Sequence, residues 1–178
     1  MTDSRPVASD SEAHAAATFR RMVEGGWDVF VLLDGEGKIK YASDAITQVL
    51  GYSQEEYHAF GAFALVHPDD LEEAQRKFAQ LLEEPDTSLR VEVRAKHKDG
   101  SYRWLEVLGS NRLADPAVGA IIANFRDVTD RKETEGELEQ SLSLLRATLE
   151  STADGLLVVD NDGKIVLYNR KFVEMWRI

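Results

Sequence analysis

Residues 28–41 read DVFVLLDGEGKIKY and residues 154–167 read DGLLVVDNDGKIVL. With the two stretches aligned, Asp28, Asp34, Gly37, Lys38 and Ile39 fall on Asp154, Asp160, Gly163, Lys164 and Ile165. Apolar run meets apolar run, with a glycine-containing turn at the same place in each, which is the signature of a tandem array. The first copy runs on for about a hundred residues, an ordinary domain length. The second stops at Ile178, inside what should be its first helix. The chain therefore reads as a fragment of something longer.

Outward from the first turn, Val29 to Leu33 reads as one strand and Lys38 to Ala42 as a second that pairs back on it. Ser43 stands where a cap is wanted for a helix from Asp44 to Leu50, which Gly51 closes. Ser53-Gln54-Glu55-Glu56 has the capping-box pattern. Phe60 to Val66 carries no clear period, and Pro68 with Asp69 and Asp70 starts a helix reaching about Glu84. Then the period changes. Leu89, Val91, Val93 and Ala95 alternate with Arg90, Glu92, Arg94 and Lys96, as in a half-buried strand. Asp99-Gly100 suits a two-residue type I′ hairpin, so the strand from Ser101 to about Arg112 returns antiparallel. After a turn near Asp115-Pro116 a further strand runs from Val118 to Val128. Two strands, several short helices and three strands make an antiparallel sheet with helices on one face, an α+β fold.

The flanks are simpler. Residues 1–10 read as a disordered tail, and residues 11–26 as an amphipathic leader helix, with Phe19, Met22 and Val23 at helical spacing before Gly25-Gly26. Residues 27–128 form the complete domain, 129–152 a linker helix and 153–178 the start of the second copy. With 43% hydrophobic and 30% charged residues and no apolar run near the roughly 20 residues of a membrane span, this is a globular composition without a span. The N-terminus lacks the basic start and apolar core of a secretory signal, which favours a cytoplasmic location. Without cysteine there are no disulfides, thiolate metal sites or cysteinyl-linked chromophores. A net charge of −11 repels nucleic acid and anionic membrane surfaces alike.

The DGEGKI turn, LGYSQEE, HPDD, KDGSYRWLE and the closing RDVTDRK, in this order and spacing, resemble the PAS domain family of sensory modules in bacterial signalling proteins. The resemblance covers about Trp27 to Lys132, and again, incompletely, Asp154 to Ile178. Two details depart from it: Val128 stands where isoleucine is commoner, and Ser43 where the second copy has the more typical Asn169. The resemblance implies a five-stranded antiparallel sheet in the order 2-1-5-4-3, with helices enclosing a pocket against its inner face. It also implies that the last strand passes directly into a signalling helix. Asp127 and Thr129 would make that link, through the acid's hydrogen bonds and the hydroxyl's cap.

Physical reading supports such a helix. Asp130 and Glu133 have capping-box spacing, and Leu138, Leu142, Leu145 and Leu149 step by four, three and four residues as a dimer seam does. A parallel homodimer follows. Phe30, Leu32, Tyr41, Ile46, Val49, Leu50, Phe78, Leu82, Val91, Val93, Trp104 and Ile122 are candidate pocket lining, although residues of these types also make ordinary core. Haem-binding members of the family carry a histidine on the long helix, which has none here, and flavin-adduct members need a cysteine. Both cofactors are disfavoured, which leaves a noncovalent small ligand. No catalytic or metal-binding residue is expected. His67 beside Asp69 and Asp70 is the one arrangement suggesting an enzyme, and first-turn aspartates are ordinary helix-dipole partners. The expected function is a sensory and dimerisation module of a signal-transduction protein, a sensor histidine kinase being the commonest in this family, whose output domain lies outside this chain. The alternatives are regulation of a cyclic-dinucleotide enzyme, a structural spacer without ligand, or a small His/Asp enzyme.

Overall fold

The computed structural model describes residues 26–177 and divides into two compact units after Thr129. The tail and the leader-helix pattern from Glu12 to Glu24 lie outside the described residues. In the first unit the strands are β1 (Val29–Leu33), β2 (Ile39–Ala42), β3 (Ser88–Lys96), β4 (Tyr102–Arg112) and β5 (Ala120–Asp127). Between β2 and β3 come helices α1 (Ala45–Leu50), α2 (Gln54–His58) and α3 (Pro68–Glu83). The sheet is antiparallel in the order β2-β1-β5-β4-β3, as the resemblance implied. Because side chains alternate across a sheet, register decides the core. Val29, Val31 and Leu33 of β1 face the helices and are buried, with Val93 and Ala95 of β3, Leu105 of β4 and Ile121 and Phe125 of β5.

Local chemistry explains most boundaries. Both halves of the capping box at the start of α2 are formed, Ser53 Oγ accepting from Glu56 N and Glu56 Oε2 from Ser53 N. Gly51 ends α1 at φ 78°, a left-handed conformation that favours glycine. Two expectations change. Ser43 does not cap α1: its Oγ accepts from Phe30 N, and its own N donates to Phe30 O, because the chain leaving β2 passes close to β1. The β3–β4 hairpin is not a two-residue type I′ turn. Gly100 N donates to His97 O and His97 N to Ser101 O, with only Gly100 at positive φ. This is the three-residue alternative, in which glycine alone needs the left-handed region.

β3 is an edge strand, and unpaired edges invite aggregation. Here residues 65–70 cover the edge. Lys96 N donates to Leu65 O, His67 N to Arg94 O, and Asp70 Oδ2 accepts from Arg94 N at 2.8 Å. The Arg94 guanidinium grips the same carboxylate through Nε and Nη2 at 2.9 and 2.6 Å and lies 5.3 Å from the centre of the Trp104 ring.

The second unit contains helix α4 (Thr129–Ser151, all but its first residue), strands β6 (Leu157–Val159) and β7 (Ile165–Tyr168) and helix α5 (Arg170–Trp176). In the fragment of the second copy, β6 and β7 form a two-stranded sheet of their own. The repeat extends to single atoms. Asp34 Oδ1 accepts from the amides of Glu36 and Lys38, and Asp160 Oδ1 from those of Asp162 and Lys164. The register shifts at Leu32/Leu33 and again at Val158/Val159. Fully buried Asn169 stands where Ser43 does and receives Leu156 N as Ser43 receives Phe30 N. Its amide also reaches Leu149 O, Thr152 Oγ1 and Asp154 O.

Arg94 holds the Asp70 pKa below the ordinary aspartate value of 3.8, first through the side-chain hydrogen bond. The stabilisation is therefore present above that value and is lost as the pH falls through the depressed native value. Asp70→Asn should lower unfolding stability at neutral pH by about 1.5–3 kcal/mol, the usual cost of a lost hydrogen bond to a charged group. Urea unfolding should show the gap between wild type and variant closing toward strongly acid pH. A pH-independent gap would show that the ion pair is not its source.

Candidate functional site

Between the inner face of the sheet and the helices lies a cavity of about 130 Å³. Its floor is built from inward positions of four strands, among them Val31, Val93, Leu105 and Phe125. Its walls come from α3, through Ala74, Lys77, Phe78 and Leu81, and from Tyr57 on α2. The segment that carried no period, residues 60–66, crosses over it. Gly61 bridges to Lys38 beside β2, and Val66 bridges to Ala95 on β3, so the strap is anchored at both edges of the sheet. Phe63 on the strap meets Phe78 edge-on, with ring centres 5.4 Å apart.

Of the twelve candidate lining residues, Leu50, Phe78, Val91 and Val93 line this cavity. The others do not. Phe30, Leu32, Trp104 and Ile122 are one residue out of phase with the inward positions of their strands, and a one-residue slip places a side chain on the opposite face. Tyr41 on β2 pairs with Leu32 of that same phase. Ile46 and Val49 are buried in the core beside α1 but outside the cavity lining, and Leu82 is one residue past the lining residue Leu81 on α3. Sequence reading missed Tyr57, Leu105 and Phe125. The buried triplet Val29, Val31 and Leu33 held the phase information that would have located the inward set.

Tyr57 and Lys77 are the lining residues with polar side-chain atoms. Burial alone pushes the Tyr57 phenol up to about 12, so it keeps its proton across the physiological range. Its hydroxyl makes no hydrogen bond with the described residues. On β4, Gly109 gives α3 its close approach, since a Cβ there would meet Leu81 Cδ2 at 2.9 Å. Buried Asn111 fixes the end of that helix by donating from Nδ2 to Leu81 O. The sequence reading singled out neither residue.

At the far end of the sheet, β5 leaves through Asp127, Val128 and Thr129. Asp127 Oδ1 accepts from Thr129 N at 2.8 Å and from the Thr129 hydroxyl. That hydroxyl accepts in turn from Trp104 N at 2.9 Å, and Val128 N donates to Trp104 O at 2.8 Å. The expected division of labour is thus reversed. Asp127 receives the first helical N–H, while the Thr129 hydroxyl binds the neighbouring strand instead of capping the helix. Trp104 is chain neighbour to the cavity residue Leu105, and Leu105 pairs with Asp127 across the ladder. Cavity wall and helix start are therefore one residue apart.

The remaining candidates lie elsewhere. Leu138, Leu142 and Leu145 on α4 are 60%, 46% and 52% exposed, and Leu149 is half-buried. His67 is the N-cap of α3, its Nδ1 accepting from Asp69 N, and its ring packs edge-on against Tyr102. Asp70 is held by Arg94, as described. Among the described residues no group of three or more His, Cys, Asp or Glu is placed to hold a metal ion, and no helix is long and apolar enough to cross a membrane.

Residues 39–117 match the family described as PAS fold, and residues 143–178 the family described as PAS domain. A probable diguanylate cyclase of Escherichia coli (strain K12) is 27% identical over 98% of this chain. A sensor histidine kinase of Ectopseudomonas mendocina is 27% identical over 79% of it. The chain spans only 16% and 14% of the lengths of these two proteins. Among solved structures, a sensory box histidine kinase/response regulator from Burkholderia thailandensis E264 superimposes with a TM-score of 0.56 at 25% identity, over 72% of this chain and 98% of that one.

Proposed function

We propose that this chain, a PAS domain followed by part of a second PAS domain, is the signal-receiving and dimerising segment of a multidomain sensor histidine kinase. The observation that carries the reading is the Trp104–Thr129–Asp127 node. Two backbone groups of one strand, a hydroxyl and a carboxylate join the cavity wall to the first turn of a 23-residue helix. Occupancy of the cavity changes the packing at Leu105 and Phe125, the node transmits the change, and α4 carries it toward the output. This is a population shift between two settings of one junction, and couplings of this kind are typically about 1–3 kcal/mol. A second reading, control of a cyclic-dinucleotide enzyme, draws support from the Escherichia coli relative, whose likeness runs through both PAS segments. The input mechanism is the same in both.

Loss of the helix cap at Asp127 costs roughly 0.5–2 kcal/mol and loss of the Thr129 hydroxyl's hydrogen bonds about as much, small against the 5–15 kcal/mol of a typical domain but comparable with a signalling bias. Asp127→Ala and Thr129→Ala should therefore leave the sheet folded by circular dichroism, and the output of the full-length protein should stop following its stimulus. Normal signalling in both variants would remove the node from the mechanism.

The half-exposed leucine seam needs a partner. A second α4 would supply one in a parallel dimer, with each leucine fully removed from water contributing about 1.5–3 kcal/mol. Light scattering should find the chain dimeric and Leu142→Glu with Leu145→Glu monomeric at unchanged helix content. A wild-type chain that stays monomeric at high concentration would sink the dimer.

A further inference from the structure

We propose that Asn169 and Glu150 lock the end of α4 to the start of the second PAS segment, so that a displacement of the helix enters that segment at β6 and α5. The inference rests on the reading of α4 as the carrier of the signal and names the point where the helix hands it on. A helix leaves its last carbonyls and its first amides without partners of its own. At this junction each helix completes the other. Asn169 is fully buried, and its Nδ2 donates to Leu149 O in the last turn of α4 at 3.0 Å, and to Thr152 Oγ1 and Asp154 O at 3.0 and 2.9 Å. In return Glu150 of α4 accepts from Arg170 N, the first amide of α5, at 3.0 Å.

The same asparagine reaches the sheet. Its Oδ1 accepts from Leu156 N, one residue before β6, at 2.8 Å and from Phe172 N of α5 at 2.9 Å. An amide side chain offers two hydrogens and one oxygen with two lone pairs, so this one is used in full. Gly155 closes the contact from another side, since a Cβ there would meet Phe172 Cα at 2.9 Å. Turning α4 against α5 therefore breaks several bonds of one buried side chain together, and a buried polar network left half satisfied is costly. Ser43 shows what remains without the lock. It accepts the Phe30 amide, and one hydroxyl proton cannot serve three acceptors.

Hydrogen exchange on the purified chain, read amide by amide by NMR, tests the lock. Ala147→Gly is the perturbation: it loosens α4 at an exposed position whose side chain takes no part in the junction. One glycine in a helix interior weakens it roughly fivefold. With the lock intact, the amides of Leu156, Arg170 and Phe172 should exchange roughly fivefold faster in Ala147→Gly than in the wild type, because α4 and the second segment open as one body. In Asn169→Ser, which carries the side chain of the first copy, adding Ala147→Gly should change Leu156 and Phe172 by less than about twofold, as independent sites do. Should that variant not fold, Asn169→Asp takes its place, since it keeps both acceptor bonds and loses the donors. Exchange at these amides that ignores Ala147→Gly in the wild type, or that follows it equally without Asn169, would overturn the lock. The measurement needs neither stimulus nor output, so its failure leaves the Asp127–Thr129 relay standing. The relay fails only on signalling output.

Discussion

The pairing of β5 with both β1 and β4 is the constraint on which the first unit depends. β5 is the last strand in sequence and the middle strand of the sheet. Its contacts with β1, such as Val31 opposite Ala123, close a loop spanning most of the domain, an entropic cost that no local turn supplies. Burial of the inward rows offsets it, because Val29, Val31, Ile121 and Phe125 bring the two hairpins into one apolar layer. Register then leaves no freedom. Were β5 to slip by one residue, Ile121 and Phe125 would turn outward, the cavity floor would be lost, and Asp127 would leave its position opposite Leu105.

Legibility in the sequence follows the range of the interaction. Features written within four residues appear in the structure as read: the Ser53–Glu56 capping box, the Pro68 helix start, and the Asp34 and Asp160 turns. Features that depend on what lies across the sheet were not legible. Ser43 has the residue type of a cap and the position of a cap, yet the amide it meets belongs to Phe30 on another strand. Thr129 is the same case, since its hydroxyl goes to Trp104, 25 residues away. The candidate pocket differs by phase: large side chains were chosen by type, and on β1 and β4 the aromatic residues Phe30 and Trp104 are out of phase with the inward positions. Residues 60–66 carried no periodic signal because two sheet edges, and no helix or strand of their own, fix their path.

The two copies form an internal comparison at this one position. Ser43 and Asn169 accept the same amide at the start of the domain, 3.0 and 2.8 Å away. Only the asparagine has a second arm, and that arm reaches the carbonyl of Leu149 near the C-terminal end of α4. In the second copy, therefore, the helix that enters the domain is tied to its first strand and first helix by one buried side chain. A serine in the first copy is too short to make that tie.

In the first copy the corresponding link lies at the other end of the domain. The cavity and the helix start need no long pathway between them, because Leu105 is a wall of the one and the chain neighbour of Trp104, which holds the other. Any change in packing at Leu105 and Phe125 acts on the two strands that carry the node. Three hydrogen bonds converge on Thr129 and its carboxylate partner, each with one good geometry, so the junction responds to strand movement by making or breaking bonds more than by bending. The free energy needed to bias it is that of about one such bond.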